Sequence, residues 1–285
     1  MTTAGAALEA GARLLREAGI ERGRHEARLL MAFACDLAPE KVFAEPEAEL
    51  APADGDRFLA LVRRRAGREP LSHILGRREF WGLDFAVGPD VLDPRADTET
   101  VVALALDQVT ERAAALDILD LGTGSGCILL ALLHELPNAR GLGVDRSTAA
   151  LAIAAGNARA LGLAGRVTFV ESDWAGAVDR RFDLVVSNPP YIRSGDIAGL
   201  QPEVARYEPR QALDGGIDGL DAYRAIAAKL PELLKPGGQA ILEIGAGQAD
   251  EVAAVFAAAG ASLVASRRDL AGHLRALAFC LTRAK

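Results

Sequence analysis

The 285 residues carry a formal net charge of −7, with half of them apolar and one quarter charged, a balance that excludes a disordered or membrane-embedded chain. An acidic total also excludes broad, sequence-independent nucleic-acid binding, which needs a basic face to neutralise phosphates. The widely spaced Cys35, Cys127 and Cys280 support neither a disulfide framework nor a CxxC zinc site, and read as core thiols in a reducing compartment.

The opening "MTTAGAALEAGARLLREAG" lacks the basic start, apolar block and cleavage site of a signal peptide. No apolar run reaches the roughly 18 residues of a membrane span. A cytoplasmic location is therefore expected. Leu8, Leu14 and Leu15, then Leu29, Leu30 and Phe33, then Phe58, Leu59, Leu61 and Val62 recur at helical spacing. Breaks at Gly19, Gly23, Pro39 and Pro46 divide this stretch into short helices, so residues 1–75 are expected to form a small N-terminal helical bundle. Arg63, Arg64, Arg65 and Arg68 cluster there and read as a solvated helix face. "LSHILGRREFWGLDFAVGPDVLDPR" alternates apolar residues with aromatics and glycines, which predicts a β-hairpin linker over 76–94.

From residue 95 to 285 the pattern is α/β. "ALDILDLGTG", "RGLGVD", "VTFVES", "FDLVVSNPP", "QAILEIG", "SLVASRRD" and "RALAFCLTR" are apolar strand candidates, most of them separated by helical stretches. Continuous apolar strands alternating with helices predict a mainly parallel, Rossmann-like sheet covered on both faces. Ligands in such sheets sit beyond the carboxyl ends of the strands.

The first of these strands delivers Asp120 and then Gly122, Thr123, Gly124, Ser125 and Gly126. Glycines there let backbone approach a ligand, and the following helix offers free N–H groups. Cys127 stands where a dinucleotide fingerprint wants its third glycine, so the GxGxxG spacing fails. Asp145 follows the loop by about twenty residues, the spacing of a carboxylate that accepts from ribose hydroxyls; the alternative is a cap on the helix starting near Ser147. Asp173 is placed to accept from an adenine amino group and Trp174 to cover a flat ring, or they form a turn with an interfacial indole. His25, His73, His134 and His273 are scattered, and no metal-ligand spacing appears.

The strand 182–187 runs into Asn188, Pro189, Pro190 and Tyr191. Two prolines remove two N–H donors and stop both helix and strand. At average proline usage such a tetrad after a strand arises by chance in roughly one chain per thousand of this length, so a plain turn is a poor account of it. Here the sequence resembles the N-methyltransferases that use S-adenosyl-L-methionine, in which (D/N/S)PP(Y/F/W) follows the fourth strand. "EPLSHILGRREFWGLDFAVGPDVLDPRADTET", "DLGTGSGC", "SNPPYI" and "YEPRQALDGGIDGLDAYR" in this order further resemble the protein-glutamine methyltransferases of peptide chain release factors, over essentially the whole chain. Asp93 and Ala96 stand where that family more often has an apolar residue and a proline, and His73 where an aromatic is common. Asp93 before Pro94 could cap a helix.

The resemblance implies a seven-stranded class I methyltransferase sheet whose last strand runs antiparallel, and a helical N-terminal domain offering surface to a protein substrate. It implies S-adenosyl-L-methionine held by Gly122, Thr123, Gly124, Ser125, Gly126, Asp145, Asp173, Trp174 and Asn188. Methyl transfer to the amide nitrogen (N5) of a Gly-Gly-Gln glutamine in class 1 release factors would be carried by Asn188, Pro189, Pro190 and Tyr191. The Asn188 side-chain oxygen and the Pro189 carbonyl would accept from the two amide N–H groups, and Tyr191 would pack on the amide plane. "EPRQALDGG" reads either as a cover over the site, with Glu208 and Arg210 pairing to hold it, or as a solvated loop. A monomer without nucleic-acid or membrane contact is expected. Rival readings are an exocyclic-amine methyltransferase acting on DNA or ribosomal RNA, a nucleoside-binding module without catalysis, and, more weakly, a dehydrogenase.

Overall fold

The computed structural model describes residues 3–282, apart from the side chains of Pro39 and Phe43. Two compact units emerge: the chain up to Gly76 together with Gln201–Tyr207, and Arg77–Leu200 together with Glu208 onward.

The first unit is helical, with helices Ala4–Glu17, Gly23–Ala34, Pro39–Ala44, Pro52–Ala66 and Leu71–Leu75, and the returning helix Pro202–Tyr207. Local chemistry sets the ends. Thr3 Oγ1 accepts from Ala6 N at 3.2 Å, Gly19 leaves the first helix at φ +77°, and prolines open the third and fourth. Leu8, Leu15, Leu30, Phe58 and Val62 form its core, each contributing about 2 kcal/mol on burial. A Cβ at Gly11 would lie 2.6 Å from the Phe58 ring, so glycine is what lets these helices close on each other. The arginine cluster is a solvated face only in part: Arg63 and Arg64 are exposed, whereas Arg65 and Arg68 are not. Arg65 is buried and binds Glu26 Oε2 at 2.6 Å and Glu203 Oε1 at 2.9 Å. Arg68 takes Glu203 Oε2 at 2.7 Å, and Arg64 pairs with Glu69 at 2.6 Å. Burial opposes the charge on Glu203, yet hydrogen bonds from Arg68 and Arg65 hold its carboxyl below the usual range. A helix inserted more than 130 residues later in the chain is thereby fastened to the bundle.

The second unit begins with a hairpin, β1 (Arg77–Phe80) and β2 (Leu83–Ala86). Trp81 and Gly82 turn it with φ of 55° and 69°, the left-handed pair that matches strand twist. Phe80 and Phe85 meet edge to face at 6.1 Å and are fully buried with Val87 and Val91 in the core beneath.

Seven strands follow: β3 (Asp117–Leu121), β4 (Arg140–Asp145), β5 (Val167–Glu171), β6 (Phe182–Ser187), β7 (Leu234–Glu243), β8 (Ala261–Arg268) and β9 (Leu274–Leu281). Their order is β5-β4-β3-β6-β7-β9-β8. β9 alone runs antiparallel to its neighbours, and every strand candidate of the sequence is present. Side chains alternate between two cores. Leu184, Val186 and Ile241 face helices Glu99–Gln108, Cys127–Glu135 and Thr148–Ala160. Val185, Ala240, Leu242 and Phe279 face helices Asp221–Leu233 and Ala249–Ala258. Strands buried on both sides explain why the sequence reads as continuous apolar runs. The order reverses at β3, with β4 on one side and β6 on the other, which opens a crevice at their carboxyl ends.

Candidate active site

The loop after β3 is a backbone cradle. Gly122 N and Thr123 N both donate to Val144 O at 2.9 Å, and Gly122, Gly124 and Gly126 have φ of 70°, 54° and 81°, a left-handed series that side chains resist. Gly126 leads directly into helix Cys127–Glu135. Asn157 pins the loop: its Nδ2 donates to Ser125 O at 2.9 Å while its Oδ1 accepts from Ala86 N at 2.8 Å. Beneath lies Asp120, 1% exposed. Its Oδ2 accepts from Thr123 Oγ1 at 2.7 Å, and its Oδ1 has no hydrogen-bond partner. Burial pushes this carboxyl up to about 7; the Thr123 bond opposes the rise and the charge of Asp145 adds to it.

Asp145 ends β4 and spans the cradle. Its Oδ2 accepts from Gly124 N and its Oδ1 from Ser147 N, both at 2.9 Å. The helix cap is Ser147, whose Oγ accepts from Ala150 N at 3.2 Å. Each Asp145 oxygen keeps a lone pair for a ligand hydroxyl. After β5, Asp173 is exposed and Trp174 half-buried. Trp174 has φ of 50°, a conformation that a bulky residue adopts only where the surroundings impose it.

β6 ends at Ser187, which leaves the carbonyls of Asn188 and Pro189 outside the ladder. Asn188 Nδ2 donates to Thr98 Oγ1 at 3.1 Å. Tyr191 packs on the second core, its hydroxyl donating to Glu243 Oε1 at 3.2 Å and its carbonyl accepting from Gln248 Nε2 at 3.2 Å. The following segment pairs with the loop at 213–216 through Ile192 N to Leu213 O at 3.0 Å and Gly215 N to Ile192 O at 2.8 Å.

One cavity of about 270 Å³ joins these pieces, near the lower bound of small-molecule pockets, roughly 300–1,000 Å³. Its wall includes Gly122, Thr123, Gly124, Ser125, Asp145, Asp173, Trp174, Asn188 and Pro190. Gly126, Pro189 and Tyr191 are not among the residues that line it. Glu208 and Arg210 do not pair. Glu208 accepts from Arg95 Nη2 at 2.5 Å, whereas Arg210 binds Asp214 at 3.2 Å. The buried Glu208 cannot also reach a solvent-exposed arginine.

Family comparisons agree with this geometry. Residues 6–76 match the model described as PrmC N-terminal domain, and residues 96–201 the methyltransferase small domain. The release factor glutamine methyltransferase of Rhodospirillum rubrum is 50% identical over 273 residues, covering 96% of this chain and 83% of that one. Its counterpart in Cereibacter sphaeroides is 47% identical over 269 residues, covering 94% and 95%. The chain belongs to the release factor glutamine methyltransferase family. Among solved structures, a ribosomal protein L11 methylase from Lactobacillus delbrueckii subsp. bulgaricus superposes with a TM-score of 0.51 at 22% identity. It covers 67% of this chain and 83% of that one, and shows the shared sheet.

Within this family fold, the cradle suits S-adenosyl-L-methionine on this chain's own features. The left-handed glycines clear the backbone for close approach, and each Asp145 oxygen keeps a lone pair for a ligand hydroxyl. Asp93 is buried and caps nothing, since Arg95 is the residue preceding the first turn, Ala96–Thr98. His73 lies half-buried in helix Leu71–Leu75. Sequence reasoning missed Arg95 and Thr98, which line the cavity, and Glu243 behind it. "DPRADTET" and "ILEIG" carry these residues, and their charges or hydroxyls beside apolar runs were the available signal. Only long-range pairing gives them meaning.

Proposed function

We infer that this protein methylates the side-chain amide nitrogen (N5) of the glutamine in the Gly-Gly-Gln motif of class 1 peptide chain release factors. The observation that carries this reading is the fixed carboxamide of Asn188, held by Thr98 through its nitrogen, on the same cavity wall as the glycine cradle and Asp145. S-adenosyl-L-methionine bound in the cradle supplies an electrophilic methyl group on a sulfonium. Gly122, Thr123, Gly124, Ser125 and Gly126 hold it by backbone and hydroxyl groups, Asp145 takes the ribose, and Asp173 and Trp174 take the adenine.

An amide nitrogen is a weak nucleophile because its lone pair is shared with the carbonyl. Asn188 Oδ1 and the Pro189 carbonyl accept from its two N–H groups and so favour positive charge on nitrogen as it attacks. Each such contact is worth about 3–4 kcal/mol in the transition state. Alignment of nitrogen and methyl contributes more, about 7–11 kcal/mol, and here it rests on a loop with two rigid prolines. Tyr191 supports that loop from behind, and Pro190 faces the cavity. The product amide loses its proton after methyl transfer, so no strong general base is needed. The helical unit supplies further surface for the protein substrate, and the enzyme acts as a cytoplasmic monomer without nucleic acid; among the described residues no helix is long and apolar enough to cross a membrane.

The test is methyl transfer from labelled S-adenosyl-L-methionine to a purified release factor, beside its Gly-Gly-Ala variant, with DNA and ribosomal RNA in parallel. Label on the intact factor alone supports the reading. Label on nucleic acid alone overturns it in favour of an exocyclic-amine methyltransferase.

A further inference from the structure

Glu243 is the last residue of β7 and is 1% exposed. The parallel register pairs Ser187 with Leu242, so Glu243 lies beside Asn188 where both strands end. Its carboxylate has two neighbours on the reactive side. Tyr191 Oη donates to Oε1 at 3.2 Å, and Thr98 is near enough to act on the same carboxylate. Oε2 makes no hydrogen bond, which leaves it as the acceptor open to the Thr98 proton. The Thr98 oxygen in turn accepts from Asn188 Nδ2 at 3.1 Å.

A threonine hydroxyl has one proton to give. When that proton goes to Glu243, the oxygen offers only lone pairs to Asn188, and the Asn188 carboxamide must turn its NH2 toward Thr98. Its Oδ1 is then the free acceptor. Without the carboxylate, the Thr98 hydroxyl could donate to Asn188 Oδ1 instead, and the flipped amide would present N–H groups to a substrate amide that also presents N–H groups.

We propose that Glu243 is a positioning residue for methyl transfer, fixing the polarity of the Asn188 carboxamide through Thr98 and the exit of the Asn188–Tyr191 loop through the Tyr191 phenol. This rests on the reading that Asn188 Oδ1 accepts from the substrate amide. Tyr223 anchors the same point from below, its hydroxyl donating to Glu243 O at 2.9 Å. Arg275 and Asp97 are the charged neighbours that act on the carboxylate.

The experiment measures kcat, KM for a purified release factor, and calorimetric Kd for S-adenosyl-L-methionine in the full-length enzyme and its variants. Thr98→Val lowers kcat roughly 10- to 100-fold, the loss of one buried polar contact, with KM and Kd held within about threefold. Thr98→Ser, which keeps the hydroxyl, restores most of kcat. Glu243→Leu lowers kcat at least as far as Thr98→Val does, since it also frees the Tyr191 phenol, and the double variant is no worse than Glu243→Leu alone because Thr98→Val breaks one of the same paths. Should Glu243→Leu fail to fold, the valine and serine variants of Thr98 decide. Wild-type kcat in Thr98→Val, or equal losses in Thr98→Val and Thr98→Ser, overturns the inference. Asn188→Ala separates the two levels: wild-type turnover there sinks the reading of Asn188, whereas a crippled Asn188→Ala beside unimpaired Thr98 and Glu243 variants sinks only the relay.

Discussion

Asp120→Asn replaces a buried acid whose charged form the fold disfavours. The carboxyl moves from about 3.8 to about 7 in the folded protein, with burial as the main cause. The native state therefore binds this proton more tightly than the unfolded chain, and protonation stabilises it. That stabilisation is fully present below about pH 3.8 and is lost as pH rises through about 7. The full span is about 4 kcal/mol, at 1.36 kcal/mol per unit. Integrated between about pH 5 and about pH 8, the wild type should lose about 2.5 kcal/mol that Asp120→Asn keeps. Asparagine adds its own cost for a buried, unpaired N–H, about 1–3 kcal/mol, but that cost does not vary with pH. The quantity to measure is thus the difference between variant and wild type at the two pH values, from urea unfolding followed by tryptophan fluorescence. Trp81 and Trp174 both lie in the second unit, so the signal reports the unit that contains Asp120. A difference that stays constant within about 0.5 kcal/mol across that range would refute the argument, because additivity errors are no larger.

Asn188→Ala should retain S-adenosyl-L-methionine affinity while kcat falls about 10²–10³-fold, checked by calorimetry beside the labelled-methyl assay. Asp145→Ala should act in the opposite order: Kd for S-adenosyl-L-methionine rises at least about tenfold, since hydrogen bonds to a charged group are worth about 1.5–3 kcal/mol. An unchanged Kd would remove Asp145 from the ribose site. Arg95→Ala leaves the buried Glu208 beside Asp93 without its cation. Unfolding at neutral pH should cost about 2–3 kcal/mol less than in the wild type, below the roughly 3–5 kcal/mol of a fully buried pair because Arg95 keeps 37% of its side chain in solvent. The deficit should shrink as pH falls and Glu208 takes up a proton, since burial already raises its carboxyl.

Much of this protein was legible as sequence because the governing forces are local. Strands covered on both faces must be apolar throughout, so β3 to β9 stand out as runs, and the turns after them stand out because glycine and proline have few other uses. The cradle 122–126, Asp145 and the loop 188–191 were readable for that reason. Arg65 and Arg68 were misread because charge in a helix predicts solvent unless its partners are known, and Glu203 lies 138 residues from Arg65. Glu208 was assigned the wrong arginine on the same ground: proximity in sequence suggested Arg210, while Arg95, 113 residues away, reaches it inside the fold.

The sequence by itself determined the strand order of residue types, the breaks, and which side chains end each strand, because backbone propensity and side-chain burial act within a few residues. Tertiary structure alone decided that Thr98, 90 residues before Asn188, and Glu243, 52 residues after Tyr191, meet at one loop. That meeting depends on the parallel register of β6 and β7 and on where helix Glu99–Gln108 begins, and no local preference encodes either. A hydroxyl acquires a partner only when the fold sets it within hydrogen-bond reach, as Thr98 is of the Asn188 carboxamide at 3.1 Å.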